Sequence, residues 1–335
     1  MMFNKGVSGD EVAIFKSKDR ISIYDVKYVW EKYHINGPYS KINNVEILSA
    51  DGNFYPIYGI NRYKNQISCM VKTNTSSIVI GDDGDLMVKS DVYGRGVKNV
   101  NQIDYDEVVV MNRIKLDYEN EIYCEGLAYL AGLMFFNTGM HAYIPNSYSI
   151  IENINKILES YNGLFKVKVV SKTLPNLGSY CKLYVNTHDV RIKHILKKIH
   201  NIFPMINDES KIEFFAGLID NYANVKSGIP YISVRDRTIA NYLTTMAALA
   251  GIDVSYGMYK YQHGDKIRIG IFPNKELKNK VRDVIKKRKI NSKHPIHLGN
   301  IQKAHIINVT GNYIDKYLFD ISHDNVICSK YIVFV

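Results

Sequence analysis

Between residues 11 and 125 the apolar positions come in short runs separated by turn-forming clusters. The runs at 12–15, 45–48, 69–72, 77–80 and 108–110 read as strands, bounded by clusters such as Ala50-Asp-Gly-Asn53 and Gly81-Asp-Asp-Gly84. One helix is predicted among them, over 23–33, carrying Asp25 and Trp30. From Glu125 the period changes. A helix-like stretch at 126–137 is followed by strands and by helices at 148–161 and 190–202. A second helix-like stretch, 210–221, opens a similar series: a strand region at 228–237, a helix at 238–250, strands at 254–261 and 266–272, and a helix at 274–288. Helix, strands and helices recur in one order, which marks an internal duplication. The tail, 294–335, returns to β-like runs at 304–309 and 330–335. The pattern predicts an α+β chain in which a β-rich module (1–124 and 293–335) is split around a duplicated insertion (125–292, with repeats of about 125–205 and 206–292).

A length of 335 residues leaves room for two domains or for one core with a large insertion. The hydrophobic fraction of 46% and charged fraction of 23% are those of a globular protein and exclude a disordered or low-complexity chain. The N-terminal stretch lacks the apolar segment of a signal peptide, and the longest apolar run, at 127–136, is roughly ten residues, about half of a membrane span. A soluble intracellular protein with no membrane partner is expected. Cys69, Cys124, Cys181 and Cys328 form no CxxC pair, which argues against a zinc site or a disulfide framework and for buried free thiols. The net charge of +10 favours polyanionic partners and salt-dependent binding. The 26 tyrosines fit an A·T-rich coding sequence as well as they fit a stacking surface.

Tyr129-Leu-Ala-Gly-Leu-Met-Phe-Phe-Asn-Thr-Gly139 and Phe214-Phe-Ala-Gly-Leu-Ile-Asp-Asn-Tyr-Ala-Asn224 stand at matching points of the two repeats. Ala131-Gly132 and Ala216-Gly217 would let two helix backbones approach closely. One such stretch alone would read as an ordinary buried helix; two in register within a duplication do not. These stretches resemble the two copies of the LAGLIDADG motif of homing endonucleases. The Pro-containing lead-in at 202–210, the segment at 231–237 and the turn into a hairpin at 250–255 fit the same family, so the resemblance covers roughly residues 125 to 290. It implies a duplicated endonuclease fold, with two packed motif helices over an antiparallel DNA-binding saddle.

In that family each motif helix delivers an acid from its eighth position to a shared metal site. Phosphodiester hydrolysis there uses divalent cations, and hard cations such as Mg²⁺ need carboxylate oxygens. Here the eighth positions are Asn137 and Tyr222. An amide is neutral, and a phenol with an ordinary pKa of roughly 10 supplies no anionic oxygen at neutral pH. Asp220 occupies the sixth position, where a structural role at the helix end outweighs metal ligation. Cleavage is therefore expected to be lost or weakened, and Mg²⁺ to be required only where cleavage remains. The alternatives are an active endonuclease with Asp220 as a relocated ligand, a DNA-binding regulator, and a splicing-inactive remnant.

The saddle strands should carry exposed basic residues facing the DNA. Alternation at period two nominates Lys166, Lys168, Lys182, Arg235, Lys260, Lys266 and Arg268, with Arg237 beside them, to reach phosphates or base edges. The run at 280–289 reads as a phosphate-contacting or solvated helix end. Double-stranded DNA is the implied partner and a pseudo-symmetric monomer the implied assembly.

The flanks resemble the Hint fold of inteins. Gly6-Val-Ser-Gly-Asp10 is similar to the first intein block, and 319–325 and 330–335 to the last ones. Splicing needs a Cys or Ser nucleophile, an activating Thr-x-x-His and a terminal Asn. Here Gly6 stands at the nucleophile position, 82–85 ends in Asp85 where the His belongs, Asp320 sits in the penultimate block, and no His-Asn follows. Self-splicing is not expected, and His323, Cys328 and Ser329 share no spacing that would make them a triad.

Overall fold

The computed structural model describes the chain except residues 1–4, 35–36, 91–93, 104–106, 112, 117, 119–120, 138, 175–177, 262–263, 291–300, 305, 322–325 and 335. At 65, 90, 107, 172–174, 178–179, 261, 264, 301–304 and 306–316 it describes the backbone alone. His323 lies outside the described residues. The helices are α1 (Val26–Tyr33), α2 (Leu127–Met134), α3 (Tyr148–Ser160), α4 (Val190–Ile202), α5 (Asp208–Tyr222), α6 (Arg237–Leu249), α7 (Lys275–Lys280) and α8 (Val284–Lys289). With several antiparallel sheets between them, the fold is mixed α/β. Among the described residues no helix is long and apolar enough to cross a membrane.

The chain forms two compact units. One comprises Met1–Asp117, Val234–Ile269 and His297–Val335; the other comprises Tyr118–Ser233 and Gly270–Ile296. The contacts thus group α6 and the strand Asp253–Tyr261 with the flanking β-rich segments.

In the first unit the strands Val12–Ser17 and Arg20–Asp25 form a tight hairpin, Ser17 opposite Arg20. Residues 23–25 are therefore strand, and α1 starts at Val26 rather than at 23. Asp25 caps it, its carboxylate accepting from Tyr28 N at 2.8 Å. A long ribbon supports this unit: Gly59–Thr73 pairs antiparallel with Ile306–Ile321, with register shifts between Ile306 and Asn308 and between Thr310 and Tyr313. Only the 69–72 part of the first strand stood out in the sequence, because the rest is polar. The core gathers Phe15, Trp30, Ile47, Phe319 and Tyr331. The Arg62 guanidinium covers the Trp30 ring at 3.9 Å and the Tyr317 ring at 4.7 Å.

α6 is bound to the β-rich segments of the first unit by polar contacts. Asn241 Nδ2 donates to Asp10 O at 3.0 Å, Asp25 N donates to Tyr242 Oη at 2.9 Å, and Ile114 N donates to Ala248 O at 3.1 Å. Glu11, fully buried, accepts from Val79 N at 2.9 Å, from Asn241 Nδ2 at 3.2 Å, from the Ser329 hydroxyl and from Arg237. Beside it Ser77 Oγ donates to Tyr256 Oη at 2.8 Å.

The second unit holds a three-stranded antiparallel sheet, in the order His141–Pro145, Gly178–Thr187, Phe165–Leu174. It also holds the antiparallel hairpin Asn224–Lys226 with Ile229–Val234. Where the sequence predicted one helix over 274–288, α7 and α8 are separated at 281–283.

Candidate functional site

All eight residues of α2 are buried, and so are ten of the fifteen in α5. Asp208 and Glu209 in the first turn of α5 suit its positive end. The two helices touch through glycine. A Cβ at Gly132 would fall on Phe214 O and lie 2.8 Å from Leu218 N; one at Gly217 would fall on Tyr129 O and lie 3.0 Å from Tyr129 C. The contact is reciprocal, and any side chain would force the backbones apart.

At the far end of this pair Asn137 and Tyr222 meet. Asn137 Nδ2 donates to Tyr222 Oη at 2.7 Å, and the Tyr222 hydroxyl donates to Leu133 O at 2.8 Å. Asn221 Nδ2 donates to the same carbonyl at 2.6 Å. Phe136 packs edge-on to the Tyr222 ring, with centroids 4.7 Å apart. Burial pushes the Tyr222 phenol up to about 12, so the pair is neutral across the physiological range.

Asp220, two residues before the end of α5, is fully buried. Its Oδ2 accepts from Tyr129 Oη at 2.8 Å and from Arg282 N at 2.7 Å, and its Oδ1 accepts from Asp283 N at 2.9 Å. The break between α7 and α8 frees those two amides for it. The apolar periodicity of 274–288 carries no trace of that break, because a buried acceptor on another element sets it. Lys286 closes the arrangement by donating to Ile219 O at 2.9 Å and Asp220 O at 2.6 Å, a cation on the carbonyl end of α5. Sequence pattern does not single out Tyr129 or Lys286 as site residues: one lies within an apolar run and the other within a basic run whose pattern suggests a solvated or phosphate-contacting helix end.

These residues do not fit a divalent cation. The amide and the phenol satisfy each other, Asp220 spends both oxygens on buried donors, and a hard cation needs several oxygen ligands. Among the described residues no three His, Cys, Asp or Glu side chains gather where they could hold a metal.

Burial, the largest influence on Asp220, raises its pKa to about 6 against the pull of its three donors and Lys286. The folded chain therefore binds a proton more tightly than the unfolded one, whose carboxyl titrates near the ordinary 3.8. This contribution to stability is complete below about pH 4 and is lost as pH rises through about 6. Urea unfolding is expected to show a difference on the order of 2 kcal/mol in this direction between pH 4.5 and 7. Asp220→Asn should flatten it; an unchanged slope in that variant would show that Asp220 does not titrate in this range.

Two sheet faces carry cations beside tyrosines. In the three-stranded sheet Ala142, Ile144, Cys181, Leu183 and Val185 are buried, and the alternate positions form the outer face. There Lys168 stands opposite Tyr184, and Tyr184 opposite His141; Lys182 stands opposite Tyr143. Lys182 Nζ lies 4.6 Å from the Tyr184 centroid and 5.5 Å from that of Tyr143. Lys166 and Lys168 are exposed. In the other unit Lys266 and Arg268 alternate with buried Ile267 and Ile269, and Arg268 lies 4.7 Å from the Tyr259 centroid. Arg235 and Lys260 are exposed. Arg237 stands apart from this set: its side chain is 12% exposed and is held by Glu11, with Asp10 at 3.5 Å.

In the flanking segments Gly6 has φ +115°, and a Cβ there would lie 2.9 Å from Phe319 C and O and 3.2 Å from Asp320 N. Gly81 N donates to Gly6 O at 2.8 Å. Gly6, Gly81 and Asp320 thus meet, with no room for a nucleophilic side chain at position 6. Asp85 lies on a separate pairing, opposite Asn99 and Phe334. All four cysteines are buried, and none forms a disulfide.

No family model and no curated protein matches the chain. Among solved structures it is similar to I-DmoI in complex with DNA and Mn, at 17% identity over 51% of this chain and 98% of that one, TM-score 0.34. A structure of mesophilic variants from the homing endonuclease I-DmoI gives 16% identity over 50% and 97%, TM-score 0.33. The transcription factor IIB Mvu mini-intein gives 13% identity over 34% of this chain and 73% of that one, TM-score 0.30.

Proposed function

We propose that residues 125–292 are a two-repeat LAGLIDADG fold, inserted in a Hint-like module formed by 1–124 and 293–335. In this reading the protein binds a long double-stranded DNA site as a monomer and has lost strand cleavage. One observation carries it: two Ala-Gly helices in backbone contact end on Asn137 hydrogen-bonded to Tyr222, where this family has its two metal-binding acids. A neutral amide–phenol pair cannot draw a divalent cation to the scissile phosphates. The lysine- and tyrosine-bearing sheet faces support duplex binding, since ammonium groups meet phosphates and guanine edges while outward side chains keep a fixed spacing. Relocation of the metal to Asp220 is disfavoured by its burial and its three donors. Gly6, with its left-handed φ and no space for a side chain, supports a flank that does not splice.

The test combines binding and cleavage: a randomised duplex library is incubated with the protein, with and without Mg²⁺ or Mn²⁺. Specific retention without cutting is expected. Lys168→Ala or Lys182→Ala should weaken binding across sequences and reduce the slope of log K against log salt by about 1. Metal-dependent cutting that vanishes in Asp220→Asn would overturn the loss of cleavage, and absence of any duplex preference would overturn the binding role.

A further inference from the structure

A cavity of about 500 Å³ opens beside the hairpin formed by Val12–Ser17 and Arg20–Asp25, between that hairpin and α1. Its floor is apolar: Phe15, Val29 and Val45 are each 3% exposed. Tyr24 and Tyr33 add rings, and Ser17 and Ser22 add hydroxyls. Lys18, Arg20 and Lys32 line the same cavity and are exposed, as is the one carboxylate among its lining residues, Asp19. Among the described residues none of these three cations is ion-paired. Lys32 Nζ is held over the aromatic wall, 5.8 Å from the Tyr24 centroid and 5.3 Å from that of Tyr33. Lys18, at the hairpin turn, also lines a neighbouring depression of about 560 Å³ that includes Asn43 and Asn44.

The volume lies within the roughly 300–1,000 Å³ of small-molecule sites. Three cations against the single Asp19 carboxylate leave an excess of positive charge around the concavity, which raises the local potential for anions. A bare phosphate would leave the apolar floor wet, and a purely apolar ligand would strip water from the cations without replacing it. A ligand with a flat apolar ring at one end and a phosphate at the other satisfies both halves. We propose that this cavity binds a nucleoside 5′-phosphate, its base against Tyr24 and Tyr33 and its phosphate on Lys18, Arg20 and Lys32. The ligand is either a free mononucleotide or the phosphorylated end of a single strand. The site involves none of the sheet-face cations assigned to duplex binding, so it stands or falls separately.

Calorimetric titration of the full chain with 5′-AMP, 5′-TMP, a 5′-phosphorylated tetrathymidylate and inorganic phosphate tests it. Nucleotide binding is expected to be at least about tenfold tighter than that of phosphate, and to weaken by about tenfold or more in R20A/K32A. K18A, at the exposed turn, gives a second variant should the double substitution disturb folding. Binding of free nucleotides supports a metabolite-type ligand, and binding of the oligonucleotide alone supports a strand end. No heat from any nucleotide, phosphate binding as tight as AMP, or binding indifferent to R20A/K32A and K18A would overturn the proposal.

Discussion

Gly217→Ala is expected to lower stability by about 3 kcal/mol or more, although the same change in an exposed helix raises it by about 1 kcal/mol. The reversal of sign is the diagnostic feature. A methyl group at Gly217 lands on Tyr129 O, an atom fixed by α2 and unable to rotate away as a flexible side chain would. Relief requires the helices to separate, which loosens the packing of Leu130, Leu133, Phe214 and Leu218, all fully buried. Overpacking costs typically about 1–3 kcal/mol, and more when backbone is the obstacle. Gly132→Ala should act alike, against Phe214 O. The double variant should cost less than the sum, since one separation relieves both clashes. Gly96→Ala, with nothing within 4 Å, serves as the neutral control. Urea unfolding gives the magnitudes, and hydrogen exchange at the α2 and α5 amides locates the loss. A stabilised Gly217→Ala would mean that the helices do not meet at these residues.

That contact was legible in the sequence because small residues at equal offsets in two copies have few other uses. The strand positions of Lys182 and Arg268 were legible too, since period-two alternation separates a buried face from an exposed one. What escaped depends on partners far along the chain. Arg237 follows a strand and reads as one more exposed cation, yet Glu11, 226 positions earlier, turns it inward. The continuous periodicity over 274–288 hides a break whose cause is the Asp220 carboxylate. The glycine at position 6 reads as a missing nucleophile, but only the approach of Phe319 explains why a side chain is not accommodated. Local pattern reports propensity and face; it is silent on which buried acceptor or carbonyl another element will bring.

Glu11→Ala should destabilise the unit containing residues 1–117 by about 3 kcal/mol, because it leaves the largely buried Arg237 guanidinium with only the half-exposed Asp10 carboxylate, 3.5 Å away, as counter-charge. The change removes more than one attraction. Val79 N, the Ser329 hydroxyl and Asn241 Nδ2 each lose an acceptor, and a buried donor left unpaired costs about 1–3 kcal/mol. Much of the loss is therefore the penalty on the partners left behind. Glu11→Met with Arg237→Met should be more stable than Glu11→Ala alone, since removing both charges leaves none to desolvate. Glu11→Gln should fall between, keeping the shape and some hydrogen bonds while leaving the guanidinium only Asp10 as counter-charge. Because Glu11 ties the strand Val12–Ser17 to α6 and to Ser329 near the end of the chain, its loss should raise hydrogen exchange in α6 as well as in the β strands. If α6 kept its protection in Glu11→Ala while the strands opened, the network would not be what holds that helix to the β-rich segments. If the double variant proved no better than the single one, the cost would lie in packing volume rather than in charge.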